Sequence, residues 1–222
     1  MRWYRHPVLV VAMAILGSGS ASLAQTQAPL SVGEILDRMV ANTKGLTSYV
    51  VPVQIEAHVF EGPISLPVRM DGTRYFELPD RSALRMSSVP SLAKEFSDVY
   101  SSLGTPLTWP QTFDITIEGT GSRNGHSVVT LQGRYKHPST VDHVDLDVDT
   151  GTFDPVEARW FYRNGATIVM DIQESVVAGA YRLPEEETIS VSFPAYKGNA
   201  TVSYGTYQTN VAIPDSVFGG GS

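Results

Sequence analysis

Asp145, Asp147 and Asp149 alternate with Leu146 and Val148, and acids at that spacing are the raw material of more than one chemistry. A calcium loop of the EF-hand type begins this way, but it needs glycine at its sixth position and a carboxylate at its twelfth, between two helices. Counted from Asp145, glycine arrives one residue late at Gly151, and Val156 stands where the carboxylate belongs, with Glu157 just beyond. Asp149-Thr150-Gly151 also spells the tripeptide of aspartic proteases, which work with two aspartates face to face sharing one proton. The tripeptide occurs once, so a protease would have to be a dimer. A third reading accounts for the whole segment with one pattern. Val144, Leu146 and Val148 form the buried face of a strand, the three aspartates face water, and Asp149-Thr150-Gly151 is the turn into a second strand. On this hairpin reading, amidating all three aspartates should change stability by no more than about half a kcal/mol each.

No other group of residues assembles a reaction centre. His126, His137 and His143 lie apart, without the pairing that a metal site requires. The chain has no cysteine, which removes thiol catalysis, disulfides, thiolate metal ligation and the acylated cysteine of a bacterial lipoprotein. Serine is absent from any G-x-S-x-G elbow, and no glycine-rich loop leads into a helix to cradle phosphate. Glu185, Glu186 and Glu187 follow Pro184 as a charge run, read as an exposed turn. The formal net charge of −7 would repel a phosphate backbone, which argues against nucleic acid as a partner. These residues point to a protein that is not an enzyme and carries no cofactor or metal.

The elements that would position a site follow from periodicity. Arg2 and Arg5, the apolar run from Pro7 to Leu16 and the small residues from Ala21 to Ala24 form an export signal, with cleavage expected after Ala24. Ser31 and Glu34 have the spacing of a capping box, and Val32, Ile35, Leu36, Met39 and Val40 recur at helical spacing up to Gly45. From Val51 the period changes to two, with Pro52 and Pro67 suggesting edges or bulges. Shorter strands are expected at 64–70, 74–78 and 83–87. A second helix is expected from Val89 to Leu103, with Leu92, Phe96, Val99 and Leu103 on one face. Strands resume at Thr112 with turns at short intervals, the strongest being Asn164-Gly165. The expected domain spans residues 25–218, and 219–222 form a flexible tail. The fold class is mainly β with helices (α+β): one curved antiparallel sheet, its concave face covered by helices.

Such a sheet presents more apolar side chains than a thin core needs. Val53, Ile55, Met70, Phe76 and Met86 fall on alternating faces in the first half, and Phe113, Ile115, Ile117, Trp160 and Met170 in the second. With Leu92, Phe96 and Val99 of the second helix they are the candidates for the wall of a hydrophobic cavity, in which methionines suit flexible chains. Composition leaves open whether the space is filled or hollow.

The order of these elements resembles that of the bacterial outer-membrane lipoprotein carriers (LolA/LolB-like), as a divergent member. "LDVDTGTFDPVEARWFYRNGATIVMDI" looks like the family's central hairpin, and "YGTYQTNVAIPDSVF" like its closing segment. The family's Arg-Pro pair has no counterpart, and "VRMDGTRYFELPD" offers Arg69 and Arg74 instead. The resemblance implies an incomplete β-barrel whose concave side, lidded by helices, shelters the acyl chains of a lipid or lipoprotein. It implies a soluble, monomeric periplasmic protein that takes cargo from a membrane donor complex and delivers it to an outer-membrane acceptor. The other function compatible with the same fold is an envelope-stress regulatory or protein-interaction module. Arg74 is a candidate contact between lid and sheet, or else an ordinary surface arginine.

If the Val89–Leu103 helix is a lid, Phe96→Asp places a charge against hydrocarbon and should abolish uptake of a fluorescent fatty acid. The strand-rich circular dichroism spectrum should persist, and its loss would identify a filled core instead.

Overall fold

A computed structural model describes residues 30–61, 64–87, 104–194 and 197–219. The helix expected at 89–103 therefore lies outside the described residues, as do Leu92, Phe96 and Val99, the export signal and most of the tail.

The chain opens with α1 (Val32–Ala41), capped as its sequence predicts. Ser31 Oγ accepts from the Glu34 amide while Glu34 reaches back to the Ser31 N–H at 2.8 Å. Two long strands follow, β1 (Ser48–Glu61) and β2 (Ile64–Glu77), then the shorter β3 (Arg81–Met86). The one-turn helix α2 (Trp109–Thr112) leads into β4 (Phe113–Arg123), β5 (His126–Tyr135), β6 (Val141–Asp149), β7 (Pro155–Tyr162), β8 (Thr167–Val177), β9 (Tyr181–Ser192), β10 (Lys197–Tyr204) and the short β11 (Gln208–Thr209). All belong to one antiparallel sheet in the order β3-β2-β1-β10-β9-β8-β7-β6-β5-β4, with β11 beside β1. The sheet does not close on itself; it is an incomplete barrel.

β1 lies in the middle of that order because it pairs on one side with β2 and on the other with β10, from Val53 opposite Tyr204 to Phe60 opposite Lys197. The two strand segments expected at 64–70 and 74–78 are one strand, β2. Asp71-Gly72, which looks like a turn signal, is instead a point of close approach: a Cβ on Gly72 would stand 2.8 Å from the Arg85 carbonyl of β3. Pro52 does not mark an edge either. It sits in β1 where β10 departs and β11 has not yet joined, and its carbonyl accepts from the Gly205 N–H at 2.9 Å, so its missing donor falls in a gap of the ladder. Pro67 lies on the part of β2 beyond the reach of β3, among the described residues an open edge.

The inner face carries the core. Val51, Val53 and Ile55 of β1, Val202 of β10, Ile189 and Val191 of β9, Ile168 and Met170 of β8, Trp160 of β7 and Leu146 and Val148 of β6 are all buried there. Ile35, Leu36 and Met39 of α1 rest against them, the stripe that the helical spacing predicts. Among the described residues a two-residue turn lies at Asn124-Gly125, both at positive φ, between the paired Arg123 and His126. At Asn164-Gly165 only the glycine has positive φ, within a longer loop.

The opening aspartates lie in a hairpin, β6 to β7. Asp149 organises its turn by accepting from the Gly151 and Thr152 amides at 2.7 Å each. Asp147 corrects the expectation. It points to the outer face, yet it is only 1% exposed. Thr130, Asp147, Glu157 and Asp171 stand opposite one another on β5 to β8, a row with three carboxylates in adjacent strands. Like charges directly opposite are destabilising, so the row needs cations. Arg159 reaches Glu157 at 3.0 Å and Asp147 at 3.6 Å, and Arg123 at the β4–β5 tip donates to Asp147 at 2.9 Å. The hairpin tip thus folds over the row and excludes water from it.

Removing Asp147 leaves Arg123, Arg159 and the Thr130 hydroxyl short of their acceptor. We expect Asp147→Ala to cost about 3 kcal/mol in urea denaturation, as for a broken buried ion pair. Asp145→Ala, whose contacts are looser, should cost about 1 kcal/mol or less. Equal costs would contradict the burial of the row.

Candidate functional site

Among the described residues, the space between α1 and the sheet is not filled. A cavity of about 700 Å³ lies on the inner face, bounded by the C-terminal half of α1 and the turn after it, the ends of β2 and β3, the segment from Gly104 to Trp109, and β8 with β9. Met39, Leu46, Phe76, Trp109, Met170 and Leu183 give it apolar walls. At its rim Leu78 and Leu107 are 40% and 50% exposed. A second gap of about 30 Å³, enough for roughly one water, lies beyond Trp109 and Leu146 among Phe113, Ile115, Leu131, Gly133 and Val144.

The sequence candidates divide accordingly. Phe76 and Met170 line the large cavity, while Phe113 and Ile115 border the small gap. Val53, Ile55, Met70 and Trp160 are buried in the core away from the cavity wall, and Met86 packs partly buried against it. Ile117 is 37% exposed. It precedes the irregularity at Ile117/Gly119, where β4 forms the open edge of the sheet among the described residues. Arg74 is not a surface arginine. It is half-buried on the inner face, lines the cavity, and donates to the Tyr204 hydroxyl at 2.9 Å.

Beyond its apolar stripe, the C-terminal end of α1 is held by polar contacts. Arg182 on β9 clasps Asp154 through Nε and Nη2, and Asn42 at the end of α1 donates to Asp154 at 2.9 Å and to the Thr152 carbonyl at 2.9 Å. The Arg182 amide donates in turn to the Asn42 carbonyl at 3.1 Å. Arg38 lies over the Phe153 ring, 4.7 Å from its centre. The β6–β7 turn, read from sequence as a plain connection, is thus the anchor of the helix end.

Two acids on the wall escaped the sequence reading. Glu187 belongs to β9 and not to an exposed turn: it is 5% exposed and on the cavity wall. The signal was present, since Ile189 and Val191 continue the same face at period two. Burial pushes Glu187 up to about 7, against the opposing pull of the Arg74 guanidinium. Glu174, which follows a bulge in β8, is raised well above the usual carboxylate range by burial and by the Asp154 carboxylate beside it. Around Arg74, Tyr49 stacks on Phe76 at 5.1 Å, and Tyr207 packs against both Tyr49 and Tyr204. Burial raises all three phenols, so they stay neutral donors and acceptors. Among the described residues no three potential ligands converge to hold a metal ion.

No family model matches the chain, and no curated protein matches it by sequence. Solved structures do match. A domain from Vibrio parahaemolyticus described as an outer membrane lipoprotein-sorting protein superposes with a TM-score of 0.59 at 12% identity, covering 84% of this chain and 95% of its own. A LolA superfamily protein from Nitrosomonas europaea gives 0.58 at 13% identity, covering 86% and 98%. The fold is LolA-like, in a divergent form. A DUF1329 family protein from Desulfovibrio piger shares it, with a TM-score of 0.57 at 11% identity over 84% and 96% of the two chains. In this LolA-like sheet the roofed inner face is where the cavity lies. Among the described residues no helix is long and apolar enough to cross a membrane.

The buried acids make stability depend on pH. Unfolded, Glu187 releases its proton near the ordinary value of 4.5; folded, it holds it up to about 7. Between those values the folded chain binds the extra proton, so stability falls as pH rises, by on the order of 3 kcal/mol for a shift of this size. Glu174 acts with the same sign. Glu187→Gln should flatten the decline in Tm between pH 5 and 8, raising Tm mainly at the alkaline end in scanning calorimetry. An unchanged slope would show that Glu187 titrates normally.

Proposed function

We propose that the protein is an exported periplasmic carrier that shelters acyl chains of a lipid or lipoprotein in its inner cavity and moves them between membranes. The observation that carries this reading is the cavity of about 700 Å³ under α1, walled by Met39, Phe76, Trp109, Met170 and Leu183. Its size is that of a small-molecule site, and its walls are the flexible and aromatic side chains that accommodate hydrocarbon. Each sheltered CH₂ contributes about 0.8 kcal/mol, so burial alone holds a chain without any covalent step. The lipoprotein-sorting description of the Vibrio domain supports the same use of the fold. The N-terminal Arg2, Arg5 and Pro7–Leu16 pattern, with Ala24 as the cleavage point, supports export. A donor in one membrane and an acceptor in the outer membrane complete this proposal.

Protein purified from a cell envelope fraction should release acyl-chain lipid on organic extraction and mass spectrometry. Leu107→Asp tests the entrance. The side chain is half-exposed, so Tm should stay nearly constant, whereas a charge at the rim should weaken uptake of a fluorescent fatty acid by about tenfold or more. Unimpaired uptake in the variant would move the entrance elsewhere, whereas an extract without lipid together with no uptake by the parent protein would overturn the carrier reading.

A further inference from the structure

The wall of the cavity is mostly hydrocarbon, but ionic groups of both signs border it: Lys44, Arg74 and Arg182 stand there with Asp37, Asp80 and Glu174. The two arginines are engaged by the fold itself, Arg74 donating to Tyr204 and Arg182 clasping Asp154. Glu187 is left short. It is 5% exposed and lines the cavity, and its Oε2 has no hydrogen-bond partner among the described residues. The register explains why. Glu187 on β9 stands opposite Ile172 of β8 on one side and Val202 of β10 on the other, and neither side chain can hydrogen-bond. An unsatisfied buried carboxyl oxygen is a cost that an apolar side chain of similar size avoids. In an apolar pocket, a few such polar groups are what orients a ligand.

We propose that Glu187 is the polar anchor of the cavity, and that the ligand it selects is a single-chain lipid with a neutral, hydroxyl-bearing head, of the long-chain alcohol or monoacylglycerol type. This rests on the carrier reading and gives it a ligand class. The hydroxyl follows from what the carboxyl can bond. Protonated, a carboxyl offers one donor as well as acceptors; ionised, it only accepts. Burial raises Glu187 to about 7, so both forms occur near neutral pH. A partner that donates and accepts satisfies either form, and a hydroxyl is the simplest such group. Neutrality follows from the mixed signs of the wall. An anionic head at this place is repelled by Glu187 itself and by Glu174, which already feel each other's charge. A cationic head is repelled by Arg74, whose field already reaches Glu187. A neutral head meets neither repulsion, and its tail has Phe76 and Met170 of the same wall to lie against.

The test is displacement of the neutral fluorescent reporter N-phenyl-1-naphthylamine from the full mature chain by dodecanol, 1-chlorododecane, dodecanoate and dodecylammonium. Dodecanol and the chloride share a tail and differ in hydrogen bonding, so comparing their affinity ratio between parent and variant cancels the cost of dehydrating the hydroxyl. In Glu187→Met, which puts an apolar side chain of similar length in place of the carboxyl, the alcohol-to-chloride ratio should fall about tenfold, as for one lost hydrogen bond. In Glu187→Gln, which keeps a donor and an acceptor, the ratio should stay within about twofold of the parent. Dodecanoate and dodecylammonium should each bind about tenfold more weakly than dodecanol, the effect of like charges brought together. The same alcohol-to-chloride ratio in parent and Glu187→Met overturns the proposal and leaves the carrier reading standing. So does a charged ligand that binds the parent as tightly as the alcohol. A reporter that does not bind, or that no ligand displaces, overturns both. The ranking of head groups on the parent protein keeps the proposal open to refutation even if Glu187→Met does not fold.

Discussion

The pairing of β1 with β10 is the constraint on which the rest of the molecule depends. It joins the first long strand of the chain to one of the last, with register running from Val53 opposite Tyr204 to Phe60 opposite Lys197. Apart from the two-residue β11, which also joins β1, every other neighbour pair in the sheet is a connection between consecutive strands. Without this one non-local ladder, two meanders would hang apart and no common inner face would exist. Its loop-closure cost is high, which makes it a natural late step of folding. The closing segment secures it. Asn210 accepts from the Thr47 amide at 2.8 Å, Arg85 donates to the Val217 carbonyl at 3.1 Å, and Phe218 lies under Arg81.

An open sheet of this size has two faces to satisfy, and the protein treats them differently. The inner face is covered by α1 at one end, where Asn42, Asp154 and Arg182 lock the helix terminus to the β6–β7 turn and to β9. Because the helix is held at that end by directional bonds and not by side chains filling the space beneath it, a hollow survives under its last turn. The outer face carries charge, and where three carboxylates meet in adjacent strands it is covered in turn by Arg123 and Arg159. Electrostatics therefore acts as structure on the outside. On the inside, Arg74 and Glu187 stand in the same largely apolar wall.

The cavity is a consequence of that division of labour. Trp109 and Leu146 separate a roomy compartment from one nearly closed by Phe113, Ile115 and Leu131. The roomy side is the one with leucines at its rim and polar groups in its wall. The likeness to other LolA-like structures, at 11–13% identity, is one of fold.

Local sequence alone determined what depends on near neighbours. The capping box at Ser31 and Glu34, the α1 stripe of Ile35, Leu36 and Met39, the hairpin from Val144 to Tyr162 and the turn chemistry of Asp149 are all interactions within a few residues, so spacing reveals them. The antiparallel class follows from the same periodicity. Period two also says which residues share a face, and it would have placed Glu187 with Ile189 and Val191 had the run of three glutamates not suggested a turn. Tertiary structure alone decided whether a face is wet or dry. Asp147 looks solvent-facing until a hairpin tip from β4 and β5 brings Arg123 over it, and Pro52 looks like an edge until β10 and β11 leave a gap beside it. Val53, Ile55 and Trp160 have the same local signature as Phe76 and Met170, yet only the latter two border the hollow. Burial and void are properties of the surfaces that meet across the sheet, and the partners come from positions a hundred or more residues away, as Tyr204 does for Arg74.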